Sequence, residues 1–73
     1  MITLKLKGIS IIAKNLKKCR NKMGISQDKL SKLAGVTLHT ITKIELGATP
    51  DPRISTVKRI ADALNVSIDD LLR

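Results

Sequence analysis

Residues 25–47 read ISQDKLSKLAGVTLHTITKIELG, and the spacing inside this stretch predicts two short helices joined by a tight glycine turn. An apolar residue, then a hydroxyl, then another apolar residue four positions after the hydroxyl occurs at Ile25, Ser26, Leu30 and again at Val36, Thr37, Ile41. The hydroxyl can accept from an unpaired N–H of the first turn, while the apolar pair staples the chain at the angle at which it enters the helix. These signals give one helix over Gln27–Ala34 stopped by Gly35, and a second over Leu38–Leu46 stopped by Gly47. Ser31 is small enough for the second helix to cross closely, and Leu30, Ala34, Val36, Ile41 and Ile44 supply the contacts that fix the crossing. Two short helices about a Gly-Val-Thr junction make a helix-turn-helix from Gln27 to Leu46.

Outward from this unit the chain reads as helix on both sides. Ile9, Ile12, Ala13, Leu16, Cys19 and Met23 recur at intervals of three and four up to Gly24, which is an amphipathic helix, and Lys14, Lys18 and Lys22 line its outer face with Asn15 and Lys17 beside them. Before it, Ile2 to Lys7 alternate apolar and polar, a strand pattern ahead of Gly8. Residues 1–8 are therefore read as an extension, either disordered or a short strand pairing with a second subunit, and residues 9–73 as the domain. Downstream, Ala48–Arg53 contains Pro50 and Pro52 and cannot be regular helix. A fourth helix follows over Ile54–Leu64 with Asn65 as its stop. Val66, Ser67 and Leu71 repeat the hydroxyl design at the start of a fifth helix, Ile68–Leu72, where Asp70 completes a capping box that Lys29 denies to Ser26. The fold class is all-α with five helices.

Composition narrows the function. The chain has 73 residues, enough for one compact domain, and no Phe, Trp or Tyr, so its core must come from smaller apolar side chains. Fourteen Lys and Arg against six Asp and Glu give a net charge of +8, which suits a polyanionic partner. The charge is uneven: residues 1–26 hold seven bases and no acid, and the remainder seven bases and six acids. A single cysteine, Cys19, excludes an intramolecular disulfide and reads as a small buried hydrophobe. No signal-peptide pattern or long apolar run is present, so the expected location is the cytoplasm. One His and one Cys leave no basis for a metal site or a catalytic constellation; neither an enzyme nor a cofactor is expected.

With Ile41 and Ile44 facing inward at about 100° per residue, His39 lies almost opposite the core, Thr42 and Lys43 on the outer face, and Leu38 and Thr40 on the flanks. His39 and Lys43 can donate to guanine N7 or O6, Thr40 and Thr42 can bond bases or phosphates, and Leu38 can pack on a thymine methyl. Gln27, opening the preceding helix, can reach a phosphate. Lys14 and Lys18 are the candidates for further backbone contacts.

The runs LKKCRNKMGISQDKLSKLAGVTLHTITKIELG (16–47) and STVKRIADALNVSIDDLL (55–72) resemble the Cro/CI-type (XRE) helix-turn-helix family of bacterial and phage regulators over about four fifths of the chain. The resemblance implies a five-helix, lambda-repressor-like domain that dimerises and reads pseudo-palindromic operators in double-stranded DNA with its third helix, as a transcriptional regulator and more specifically a repressor. It assigns Gln27 and Thr37 to phosphate and Leu38, His39, Thr40 and Lys43 to the groove, and it implies an ion pair between Arg20 and Glu45 that braces the third helix. Leu38 and Arg53 depart from the family pattern, the first standing where Gln, Arg or Ser is frequent and the second where Ser or Thr caps the fourth helix. A homodimer is expected through Ile68, Leu71 and Leu72 together with the end of the fourth helix. The alternative function is that of an antitoxin or antirepressor, a module that binds a protein partner and keeps DNA binding for autoregulation.

Overall fold

In a computed structural model the backbone is described for residues 2–48 and 52–73, and side chains for 11–48 and 52–73. The elements are α1 (Ile2–Lys22), α2 (Gln27–Ala34), α3 (Leu38–Glu45), α4 (Ile54–Leu64) and α5 (Ile68–Leu72). The turn expected at Pro50 lies outside the described residues.

The local signals do what their chemistry requires. Ser26 Oγ accepts from the Lys29 N–H at 3.0 Å, Thr37 Oγ1 from the Thr40 N–H at 3.2 Å, and Ser67 Oγ from the Asp70 N–H at 3.1 Å. Asp70 returns the bond to the Ser67 N–H, closing the capping box. Gly35 ends α2 at φ +70° and Asn65 ends α4 at φ +60°, left-handed values that suit glycine and asparagine. Leu46 is the C-cap of α3 rather than its last residue. Arg53 precedes α4 without a side-chain cap.

At the N-terminus α1 begins at Ile2 and runs without a break through Gly8, so the strand expected over residues 2–7 is helix instead. Among the described residues there is no strand, and a lone strand leaves its backbone N–H and C=O groups unpaired. Extending a helix that already exists adds a hydrogen bond per residue with no new nucleation cost. That gain outweighs the roughly 1 kcal/mol that glycine costs inside a helix.

The core is built from Ile12, Leu16, Leu30, Ala34, Ile41, Ile44, Val57, Ile60, Ala61, Leu64 and Leu71, with Cys19, Ile25, Val36, Val66 and Ile68 packed against it. Each staple residue, with the buried residue that the spacing pairs it with, thus belongs to one core. α2 packs on α3 and α4, and α1 packs on α3 and α5, so α3 is held by both α1 and α2. Asn15, expected on the outer face of α1, is half buried: its Nδ2 donates to the Leu71 and Arg73 carbonyls at 3.0 and 3.1 Å and closes the free end of α5. Among the described residues no helix is long and apolar enough to cross a membrane.

Candidate nucleic-acid interface

The inner side of α3 is fixed by Ile41 and Ile44, which are fully enclosed, and at its C-terminal end by charge. Arg20 of α1 donates through Nε to Glu45 Oε2 at 2.6 Å and through a terminal nitrogen to Oε1 at 3.1 Å, while its other terminal nitrogen donates to the Ile25 carbonyl at 2.8 Å. The Glu45 side chain is 3% exposed and that of Arg20 12%, so this pair is shielded far better than the surface pairs Asp28–Lys32, Lys58–Asp62 and Asp69–Arg73. The hydrogen bond to Glu45 raises the Arg20 pKa above its ordinary value against the opposing effect of burial. The guanidinium thus stays charged wherever the fold persists.

The same carboxylate gathers a further residue. Gln27 Nε2 donates to Glu45 Oε1 at 3.0 Å, and the Thr42 hydroxyl donates to Gln27 Oε1 at 3.0 Å. A relay of four side chains, Arg20, Glu45, Gln27 and Thr42, thereby ties α1, the start of α2 and the outer flank of α3. The sequence marks Arg20 with Glu45 but does not reveal the Gln27–Thr42 contact, since residues 15 apart on two different helices share no periodic signal.

The outer face of α3 is different in kind. Leu38, His39 and Lys43 are exposed, and among the described residues no side-chain hydrogen bond or ion pair engages His39 or Lys43. Thr37 and Thr40 stand at the N-terminal end of the helix with their hydroxyls 2.9 Å apart. His39, Thr40 and Lys43 face Pro52, Arg53 and Thr56 across an open cleft of about 310 Å3, so Arg53 and Thr56 join the residues expected at this surface. Arg53, singled out in the sequence as a departure at the head of the fourth helix, is thus placed beside α3.

Lys14 and Lys18 are exposed on the side of α1 away from the core. Of the three residues expected at a dimer interface, Leu71 is 1% exposed and belongs to the core of the single chain, where Val66 also packs. Ile68 is half buried against the same core, and Leu72 is exposed. Among the described residues there is no cluster of His, Cys, Asp or Glu suited to a metal ion.

Comparison with known proteins agrees with this geometry. Residues 16–71 match the HTH_3 family model, described as helix-turn-helix. The chain is 33% identical over 63 residues to the SPbeta prophage-derived HTH-type transcriptional regulator YonR of Bacillus subtilis, covering 86% of this chain and 57% of YonR. It is 35% identical over 63 residues to the HTH-type regulator YqaE of the same organism, covering 86% of this chain and 53% of YqaE. It thus spans a little over half the length of these relatives. Among solved structures, an HTH_3 family transcriptional regulator from Vibrio cholerae superposes with a TM-score of 0.83 at 33% identity, over 92% of this chain and 37% of that one. The transcription factor NHTF from Neisseria shares the fold, with a TM-score of 0.85 at 24% identity over 90% of this chain and 75% of the other.

Proposed function

Because this chain belongs to the HTH_3 (XRE, Cro/CI-type) helix-turn-helix family of transcriptional regulators, we propose that it binds double-stranded DNA sequence-specifically and regulates transcription, with α3 lying in the major groove. The observation that carries this reading is the asymmetry of α3. Its inner face is locked by Ile41, Ile44 and Glu45, while His39 and Lys43 are exposed and, among the described residues, take no part in a side-chain hydrogen bond or ion pair. A polar and basic helix face that the fold itself does not consume, about the width of a major groove, suits base edges.

Leu38, His39, Thr40, Thr42 and Lys43 then face bases, and Gln27 and Thr37, at the starts of α2 and α3, meet the phosphate backbone. Lys14 and Lys18 add charge to the backbone contact. The protein acts as a dimer on a pseudo-palindromic site, through exposed Leu72 and half-buried Ile68, and represses by occupying a promoter. Selection of bound duplexes from a random library tests the reading. An inverted repeat with centres about one helical turn apart is expected. His39→Ala and Lys43→Ala should each change the preferred base at particular positions, and binding without sequence enrichment would remove the proposal.

A further inference from the structure

We infer that Thr42 is a specificity-determining residue that presents only a hydrogen-bond acceptor to the groove, and that it selects a base carrying an exocyclic amino group, adenine or cytosine, on the strand it faces. The inference deepens the proposed function and rests on α3 lying in the major groove. It follows from the direction in which protons must run along the relay.

Glu45, ionised against Arg20, can only accept, so the end of the Gln27 side chain that meets it at 3.0 Å must be the NH2 group. This fixes the Gln27 amide: its carbonyl oxygen is turned to Thr42, 3.0 Å away. A carbonyl oxygen also only accepts, so the single hydroxyl proton of Thr42 is committed to Gln27. What remains of Thr42 is lone pairs. Thr42 is half exposed, one position before outward-facing Lys43 and three after His39, so those lone pairs lie on the flank of the surface assigned to DNA. In the major groove adenine N6 and cytosine N4 offer hydrogens, whereas guanine and thymine present acceptors at the corresponding positions. A phosphate oxygen, another acceptor, has nothing to take from Thr42. The second hydrogen of the Gln27 amide is uncommitted and is the group that suits a phosphate. Gln27 is thus a positioning residue for Thr42 as well as a backbone contact.

The test uses the full chain, selection from a random duplex library, and affinities for sites carrying each base at every position. For the wild type, one position of each half-site should favour A and C over G and T by about three- to tenfold, the worth of one hydrogen bond. Thr42→Val, close in shape, should abolish that discrimination and leave the rest of the motif intact, while Thr42→Ser should keep it. Gln27→Leu frees the Thr42 proton to donate, so G and T should gain at the same position; this variant leaves Thr42 in place and decides the matter even if Thr42→Val folds poorly. A wild-type motif that Thr42→Val and Gln27→Leu leave unchanged at every position would overturn the inference while sparing the proposed function, as would a wild-type preference for G or T there. No motif at all would overturn both.

Discussion

At the scale of single residues the decisive group is the Glu45 carboxylate, because it receives donors from two other elements while almost wholly shielded from water. Removing it strands a guanidinium in a poorly solvated place and releases the Gln27 amide. Breaking one partner of such a pair costs far more than the pair itself contributes, since the remaining charge keeps its desolvation penalty. Glu45→Ala should therefore destabilise the fold by about 2–4 kcal/mol, lowering the melting temperature by roughly 10 °C or more, whereas Asp62→Ala at the exposed pair with Lys58 should cost under about 1 kcal/mol. Thermal unfolding followed by circular dichroism checks both. The raised Arg20 pKa adds stability that is fully present below the ordinary guanidinium value, so around neutral pH substitution, not titration, reveals it. The Arg20–Glu45 pair was legible through the family resemblance. The Gln27–Thr42 link was not, because a contact between helix flanks depends on the crossing angle and leaves no mark in spacing.

At the scale of elements, α2, α3 and α5 begin at the residues their local chemistry names. Ser26, Thr37 and Ser67 each accept the bond that a first turn needs, and the apolar neighbours Ile25, Val36 and Val66 pack against the core. The capping box of α5 also gives the molecule a pH signature. Hydrogen bonds to Ser67 hold the Asp70 carboxyl below its ordinary 3.8. A depressed folded-state pKa means that the contribution is present above the ordinary value and is lost as pH falls through the folded one. Asp70→Asn should lower the melting temperature at pH 6, and the gap to the wild type should close as the pH falls below about 4; a gap independent of pH would contradict the assignment. α1 and α5 show where local reading stops. The alternation of Ile2 to Lys7 carries no information about whether a partner strand exists, and in its absence the helix propagates. Asn15 reads as a surface residue on its own helix, yet the arrival of the α5 terminus gives its amide two carbonyls to serve.

At the scale of the whole molecule, the proposed function houses affinity and discrimination separately. On that reading the seven bases and no acids of residues 1–26 supply a field that attracts any duplex, and the outer side of α3 chooses among them. Lys14→Ala and Lys18→Ala should weaken binding to every sequence alike and reduce the salt dependence of log K by roughly 0.9 each, measured by titration at several salt concentrations. A change of base preference in these two variants would contradict the division. Assembly belongs to this scale as well. With Leu71 committed to the monomer core, the proposed dimer rests chiefly on Leu72, so Leu72→Asp should shift light-scattering mass from dimer to monomer while leaving the melting of the single domain little changed. A monomer mass for the wild type at tens of micromolar would exclude that interface.

The two-sidedness of α3 bears on how such a protein changes over generations. Leu38, His39 and Lys43 are exposed and, among the described residues, make no side-chain hydrogen bond, so under the proposed function a lineage can drift through many target sequences at these positions without giving up such a contact. Thr42 lacks that liberty, being wired to the brace through Gln27. New specificities should therefore arise first at the unanchored positions, while the letter that Thr42 reads changes only when Gln27 changes with it.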